Sequence, residues 1–236
     1  MSSAGPGLAA AQAASRETET GEVRLSALPS LAPCPRRAWH EVVSRIVDVV
    51  GGLTLLIALL PVLLVIAALV RLSSPGPLLY RQRRVGRDGR LFELVKFRTM
   101  HATGGGPRVT AGDDARVTRV GRALRQWKLD ELPQLWNVVR GDMALVGPRP
   151  EVPEYVRLYT AEQREVLSVR PGVTGLTQLA FRNEEALLAG RSDVERYYIE
   201  HIMPLKLDID RQYVTSRWLG GDLAILLRTV AGVLRG

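Results

Sequence analysis

An uncharged run in the first third of the chain constrains the fold most strongly. The stretch VVGGLTLLIALLPVLLVIAALV, from Val49 to Val70, contains no Asp, Glu, Lys or Arg. As a helix it is long enough to span a bilayer. A buried core helix of this length without one charged residue would be unusual in a soluble domain. The run therefore predicts an element inserted in a membrane.

Pro61 lies in the middle of this run and leaves two geometries open. Proline removes a helix hydrogen bond and kinks the chain, so the run forms either a kinked span or a re-entrant hairpin that returns to the same face. Arginines stand on both sides of the run: Arg36, Arg37 and Arg45 before it, and Arg71, Arg81, Arg83, Arg84 and Arg87 after it. Positive residues mark the cytoplasmic side of short loops, which favours the hairpin, but the charge rule compares loops and the preceding tail is short.

The composition restricts the chemistry. The net charge of +8 suggests an anionic partner, which is a nucleic acid, a lipid surface or a phosphorylated substrate. The single cysteine, Cys34, allows neither an internal disulfide nor a cysteine-cluster zinc site. The chain has three histidines, which are far apart and in no metal-binding spacing. Residues 1–38 are rich in Ala, Ser, Gly and Pro without an apolar period, and are predicted to be a disordered tail.

The local patterns after the run predict small elements. Asp88-Gly89 is a turn signal between two β-prone stretches, so a β-hairpin is expected there. HATGGGPRVTAGDD is a flexible loop, either a lid or a plain connector. The stretch RVTRVGRALRQW predicts a short basic helix. Near the C-terminus one helix face carries Leu223, Leu226, Leu227, Val230 and Leu234, which suits either a lipid headgroup region or packing on the core.

Two adjacent acids, Asp130 and Glu131, stand in the stretch QWKLDELPQLWN. The residues that follow have helical apolar spacing: Leu132, Leu135, Trp136 and Val139. Asp130 then occupies the N-cap position of a helix and Glu131 its first turn. An acidic helix start is stabilising by itself and needs no function.

The surroundings of the acidic pair favour a functional interpretation. Arg122 and Arg125 precede it, and Arg149 lies between two prolines on a stiff loop, where a guanidinium suits bidentate phosphate binding. Carboxylates beside a diphosphate suggest Mg²⁺, which neutralises the repulsion and takes oxygen ligands. A carboxylate can also attack phosphorus and form a covalent intermediate.

Four segments resemble one known family. They are KFRTM at Lys96–Met100, RVTRVGRALRQWKLDELPQLWNVVRGDMALVGPRPE at Arg116–Glu151, RPGVTGLTQLAFRNEEALL at Arg170–Leu188, and YVTSRWLGGDLAILLRTV at Tyr213–Val230. Together they resemble the bacterial sugar transferases, which are monotopic polyprenyl-phosphate phosphoglycosyl transferases, in their short form. The resemblance runs from about Trp39 to the C-terminus.

The resemblance implies an α/β fold. It is a mainly helical, membrane-associated domain with a re-entrant helix-break-helix over residues 46–70, a small β-hairpin and amphipathic interface helices. Residues 39–236 form this catalytic domain. It lies on the cytoplasmic face of the bacterial inner membrane, in contact with its lipids. The break is at Pro61.

The resemblance also implies a reaction. Asp130 attacks the β-phosphate of a UDP-sugar, UMP leaves, and a polyprenyl phosphate (undecaprenyl phosphate) takes the phosphosugar. This step begins exopolysaccharide, O-antigen (lipopolysaccharide) or glycoconjugate synthesis. Glu131 helps Asp130 to hold Mg²⁺ and takes part in acid–base steps. The candidate phosphate-binding residues are Lys96, Arg122, Arg125 and Arg149.

Two departures from the family and two rival functions accompany this prediction. Leu60 precedes Pro61 where the family often has serine, and Thr177 precedes Gln178 where many members have an aromatic residue. One rival is a membrane-bound glycosyltransferase that moves only the sugar and releases UDP. The other is a membrane-anchored basic binding module, but the chain lacks an evident aromatic stacking platform, so no nucleic-acid partner is expected. Tyr197 and Tyr198 are predicted core residues.

Overall fold

The computed structural model of the protein describes residues 38–101 and 114–235. The predicted tail, up to residue 37, and most of the predicted flexible loop lie outside the described residues.

Most of the described chain is helical. Its helices are α1 (Ala38–Ala58), α2 (Leu60–Ser73), α3 (Arg119–Gln126), α4 (Gln134–Arg140), α5 (Pro153–Val156), α6 (Leu176–Ala180), α7 (Glu184–Leu188), α8 (Val194–Tyr197), α9 (Met203–Ser216) and α10 (Leu219–Arg235). Its strands are β1 (Leu79–Val85), β2 (Leu91–Phe97), β3 (Ala144–Val146) and β4 (Gly172–Thr174). A π-helical turn, Tyr198–Ile202, joins α8 to α9, and 3₁₀ turns cover Leu129–Glu131 and Gln163–Ser168. The prediction of a mainly helical domain with a small hairpin is confirmed.

The uncharged run forms two helices with a sharp bend. The axes of Glu41–Ala58 and Leu60–Ser73 differ by 63°, with Leu59 between them and Pro61 in the first turn of α2. The predicted break is therefore present, and its cause is the amide hydrogen that Pro61 lacks. No single helix in the described ranges is long and apolar enough to cross a membrane, whereas the bent pair together is. Its exposed apolar side chains include Val50, Leu53, Ile57, Leu64, Val65 and Leu72.

The hairpin has the turn that the sequence predicts. β1 pairs with β2 in antiparallel register from Leu79↔Phe97 to Val85↔Leu91. Asp88 has φ 56° and Gly89 has φ 77°, so both central residues have the positive φ of a type I′ turn. This turn matches the twist of the two strands.

A second, parallel strand pair was missed by the sequence patterns. β3 pairs with β4 through Ala144↔Gly172 and Val146↔Thr174. The Gly147 amide donates to the Thr174 carbonyl (2.9 Å), and the Gly172 amide donates to the Pro148 carbonyl (2.8 Å). This pairing fixes the chain immediately before Arg149.

The predicted helix start at Asp130 is wrong. Asp130 and Glu131 lie in the 3₁₀ turn, and α4 begins only at Gln134. The predicted apolar face is also wrong in part, because Trp136 is 53% exposed while Asn137 is fully buried. The Asn137 side chain donates to the Glu93 carbonyl (2.7 Å) and accepts from the Val95 amide (3.1 Å). A polar residue is therefore buried because it satisfies the backbone of β2.

The two helices at the ends of the described chain both have an apolar exposed side. In α1, the Arg45 guanidinium donates to the carbonyls of Val138 and Val139 at 2.6 and 2.8 Å. It therefore ties α1 to the last turn of α4. In α10, Ile225 is buried in the core while Leu223 and Leu227 are exposed. One side of α10 thus packs on the core, which was one of the two predicted alternatives, and an exposed apolar stripe remains on its other side. Of the two tyrosines predicted to be core residues, Tyr198 is buried and Tyr197 is partly buried against the core.

Candidate active site

A left-handed residue places the acidic pair. α3 starts at the Thr118 cap, whose hydroxyl accepts from the Gly121 amide (2.8 Å), and it ends at Gln126. Lys128 then has φ 54°, a left-handed backbone conformation that residues other than glycine rarely adopt. The chain turns there and enters the 3₁₀ turn that carries Asp130 and Glu131. Backbone strain at such a position is typical of functional sites.

Glu131 forms a two-point ion pair with Arg149. The Nη2–Oε1 distance is 2.6 Å and the Nη1–Oε2 distance is 3.3 Å, which is the fork geometry of arginine and carboxylate. Burial by itself raises the pKa of Glu131, but the charge and hydrogen bonds of Arg149 outweigh it and lower this pKa to about 2. Glu131 is therefore ionised, and in turn it raises the pKa of Arg149.

Asp130 has the opposite environment. It is 4% exposed, and its Oδ1 atom has no hydrogen-bond partner within the described part of the chain. Burial, and then the charge of Glu131, raise the pKa of Asp130, while Lys96, Arg125 and Lys128 oppose this rise. Two neighbouring carboxyl groups thus have pKa values pushed in opposite directions, which is a pattern of catalytic sites.

Lys96 is the cation that β2 brings to the pair. Burial lowers the pKa of Lys96 to about 8, although the charges of Asp130 and Glu131 oppose this shift. Its Nζ lies 5.5 Å from the centroid of the Tyr80 ring. Lys96 is thus a partly desolvated ammonium group beside both acids.

Arg125 is held near Asp130 by two contacts. Its Nε donates to Thr99 Oγ1 at 2.9 Å and its Nη1 donates to Glu185 Oε1 at 3.0 Å. By contrast, Arg122 is exposed on α3, and the described contacts do not bring its side chain to the acidic pair. Of the predicted phosphate-binding residues, Lys96, Arg125 and Arg149 therefore gather around the two acids.

The loop that carries Arg149 is fixed on both sides. The Pro148 carbonyl accepts from the Gly172 amide, and the Pro150 carbonyl accepts from Arg84 Nη1 at 2.9 Å. Arg84 also approaches Glu151 Oε2 at 3.4 Å, and Glu151 accepts a hydrogen bond from the Tyr198 hydroxyl. The stiffness predicted from the two prolines therefore has a second source in long-range hydrogen bonds.

Sequence reasoning missed three residues of this site. Lys128 lies two positions before Asp130, and its positive charge acts to lower the pKa of both acids. Thr99 and Glu185 orient Arg125. Lys128 could have been found from its place beside the acids, and Thr99 from the segment KFRTM. The contact of Glu185 with Arg125 spans 60 positions and has no local signal.

The donor atoms are compatible with Mg²⁺. No group of three or more His, Cys, Asp or Glu side chains suited to a metal occurs among residues 38–101 and 114–235. In phosphate-transfer sites, however, Mg²⁺ often takes only one or two carboxylates and completes its shell with water and substrate phosphate. Asp130 Oδ1 is an unpartnered carboxylate oxygen, and Glu131 Oε2 has the longer of the two contacts to Arg149. Asp130 and Glu131 could therefore serve as the two carboxylate ligands of Mg²⁺.

Comparison with known proteins identifies the class. The profile of the family described as Bacterial sugar transferase matches residues 39–236. The chain belongs to this family, and the matched range agrees with the extent of the resemblance in the sequence.

Several relatives have names that state a reaction. A UDP-glucose:undecaprenyl-phosphate glucose-1-phosphate transferase of Caulobacter vibrioides is 43% identical over 86% of this chain and 73% of the relative. A UDP-N-acetylgalactosamine-undecaprenyl-phosphate N-acetylgalactosaminephosphotransferase of Aeromonas hydrophila is 34% identical over 93% of this chain, which spans about half (51%) of that protein. The exopolysaccharide production protein ExoY of Sinorhizobium fredii is 37% identical over 80% of this chain and 84% of the relative.

Proposed function

We propose that the protein transfers a sugar 1-phosphate from a UDP-sugar to undecaprenyl phosphate and releases UMP. The names of the Caulobacter and Aeromonas relatives describe this reaction with two different sugars. The name of the Sinorhizobium relative supports a role in exopolysaccharide production. The observation that carries the mechanism is the unpartnered Oδ1 of buried Asp130, surrounded by cations.

In the first half-reaction, Asp130 is the nucleophile. A carboxylate oxygen of Asp130 forms a bond to the β-phosphorus of the UDP-sugar, and the bond from that phosphorus to the α–β bridging oxygen breaks. The electron pair leaves with UMP. An oxygen without hydrogen bonds has a free lone pair for this attack, whereas both oxygens of Glu131 accept from Arg149.

In the second half-reaction, a phosphate oxygen of undecaprenyl phosphate attacks the same phosphorus. The bond to Asp130 breaks and the carboxylate is regenerated. The product is an undecaprenyl-diphosphate sugar. Because the acceptor has a long apolar chain, the reaction requires a site at the membrane surface.

The cations around the acids have a direct role in this scheme. Lys96, Arg125, Lys128 and Arg149 carry four positive charges against the three negative charges of Asp130, Glu131 and Glu185, so a positive charge remains for a diphosphate. Arg149 has five N–H donors, and those not directed at Glu131 can donate to phosphate. Bound Mg²⁺, held by Asp130 and Glu131, would neutralise diphosphate charge and so reduce its repulsion from the nucleophile.

The bent helix pair is proposed to be re-entrant. Asp48 in α1 accepts from the Leu145 amide at 2.8 Å, and Arg98 Nη2 donates to the Ser74 carbonyl after α2 at 2.7 Å. Both ends of the pair are thus bonded to one folded domain. A transmembrane span would separate its ends by about 30 Å of hydrocarbon. The catalytic domain is then on the cytoplasmic face of the inner membrane.

Product identity separates this reaction from transfer of the sugar alone. The purified full-length protein is incubated with undecaprenyl phosphate and each of several UDP-sugars, including UDP-glucose and UDP-N-acetylgalactosamine, and the nucleotide product is identified by chromatography. We expect UMP with at least one sugar. UDP as the product would instead establish a glycosyltransferase. Asp130→Asn is the control for contaminating hydrolases.

A further inference from the structure

A cavity lies apart from the acidic pair. It has a volume of about 270 Å³ and is bounded by the first half of α1, β3 and the start of α10. Its apolar lining includes Val47, Leu145, Leu219, Leu223 and Leu226. Pockets for drug-sized ligands usually occupy roughly 300–1,000 Å³, so this cavity suits a headgroup rather than a whole nucleotide sugar.

The residues that line the cavity differ from those of the acidic site. Arg170 lines the cavity and comes just before β4, while Arg149 comes just after β3. Neither the acidic pair nor the cations around it line the cavity; these residues are Lys96, Arg125, Asp130, Glu131 and Arg149. A lipid held there is therefore separate from the acceptor at Asp130.

Three arginines from different parts of the chain line this cavity: Arg87 from the hairpin turn, Arg170 and Arg217. Glu41 is shared between Arg87 (2.9 Å) and Arg217 (3.7 Å). Within the described ranges the Arg170 guanidinium has no hydrogen-bond or ion-pair partner, although Asp48 and Glu41 are near enough to act on its charge, so its donors are available to a ligand.

Two further acids, Asp48 and Asp222, line the cavity, and each accepts a hydrogen bond from the protein. The Asp48 side chain accepts from the Leu145 amide, and the Asp222 side chain accepts from the Tyr213 hydroxyl at 2.8 Å. Burial and the nearby charges of Arg45 and Arg87 lower the pKa of Arg170, while the charges of Asp48 and Glu41 oppose this shift. The guanidinium of Arg170, which is unpaired among the described residues, is therefore the group that an anion in the cavity would meet.

Exposed residues next to the cavity in the chain have the features of a membrane surface. Trp218 is exposed and directly follows Arg217. Tryptophan side chains favour the headgroup level of a bilayer. From Leu223 an exposed apolar stripe continues along α10 through Leu227. A phosphate next to arginine with apolar chains along such a stripe is the chemistry of a phospholipid.

We propose that this cavity binds the phosphate headgroup of an anionic phospholipid of the surrounding bilayer. Arg170 and Arg217 donate to the phosphate, and an acyl chain lies along the Leu223 side of α10. The bound lipid ties the start of α1 to the start of α10. This site is independent of the proposed transferase activity.

Native mass spectrometry of the full-length protein in detergent tests the site. The probes are phosphatidylglycerol, phosphatidylcholine and inorganic phosphate, each titrated separately. We expect one phosphatidylglycerol to bind preferentially, and Arg170→Gln to weaken its binding about tenfold, the value of one charge-assisted contact. Arg217→Gln should weaken it similarly. Arg164→Gln, an exposed arginine outside the cavity, is the matched control and should bind as the wild type does.

The melting temperature without lipid shows whether each variant is folded. If Arg170→Gln is unfolded, Arg170→Lys replaces it, and it should retain the charge but bind phosphatidylglycerol more weakly because the fork is lost. Unchanged phosphatidylglycerol binding by the folded arginine variants would overturn the proposal. Binding of inorganic phosphate as tight as that of the lipid would also overturn it, since the site would then recognise a free anion.

Discussion

Replacing Arg149 with glutamine tests the buried ion pair of the site. The substitution leaves Glu131, whose side chain is 14% exposed, without its charged partner. Removal of one partner of a buried pair costs about 3–5 kcal/mol, because the remaining charge is left in a poorly solvated place.

The pKa of Glu131 gives a second measure of the same quantity. The pKa falls from the ordinary value of 4.5 to about 2 in the folded protein. At about 1.4 kcal/mol per unit, this corresponds to about 3 kcal/mol of stability at neutral pH. Because the folded-state pKa is the lower one, this contribution is complete above pH 4.5 and is lost as the pH falls towards 2. Arg149→Gln should lose most of it at neutral pH, because Arg149 is the cation that lowers this pKa most and only Lys96 and Lys128 then remain.

The assay is urea unfolding in detergent, followed by tryptophan fluorescence. Arg81→Gln is the control, because Arg81 and Glu93 form a pair at 3.4 Å whose side chains are 64% and 54% exposed. Such a pair contributes at most about 1 kcal/mol. The double variant Glu131→Gln/Arg149→Gln should recover much of the loss, since neither member of the pair is then left as an unpaired charge. If Arg149→Gln costs no more than the control, the argument from burial is wrong.

Three further predictions concern pH, metal and topology. Because the pKa of Lys96 is about 8, its positive charge is lost as the pH rises through 8, and kcat/KM should fall over that range. Lys96→Arg should move this fall to higher pH. Identical pH profiles of the variant and the wild type would exclude a role for the ammonium charge. EDTA should abolish turnover and Mg²⁺ should restore it, so full activity in excess chelator would contradict the metal proposal. In a Cys34→Ser background, cysteines at Glu22 and Asp88 should be labelled only from the cytoplasmic side. Pro61→Leu should straighten the helix pair and reduce activity; periplasmic labelling of the wild-type tail would establish an ordinary span.

Local rules were sufficient for part of the fold. The break beside Pro61 follows from a missing amide hydrogen, and the hairpin follows from two residues, Asp88 and Gly89, that accept positive φ. These features depend on one or two residues each. They could therefore be predicted from the sequence without any long-range contact.

Long-range contacts account for what was missed. The pairing of β3 with β4 joins segments of three residues each, which are too short for a pattern. Asn137 is buried because it bonds to β2, so helical periodicity gave the wrong face. Asp130 was expected to cap a helix, but the left-handed Lys128 and the delayed start of α4 place it in a buried turn. Its site role was predicted from the surrounding arginines and the family resemblance, and the structure adds the unpartnered oxygen.

Trapping the covalent intermediate is the most direct test of the central claim. The purified full-length protein is mixed with its UDP-sugar and Mg²⁺ without undecaprenyl phosphate, then quenched and digested for mass spectrometry. We predict a burst of UMP that approaches one equivalent of enzyme, with the phosphosugar on the peptide that contains Asp130, and neither signal in Asp130→Asn. UMP formation that requires the acceptor lipid and leaves Asp130 unmodified would contradict the account.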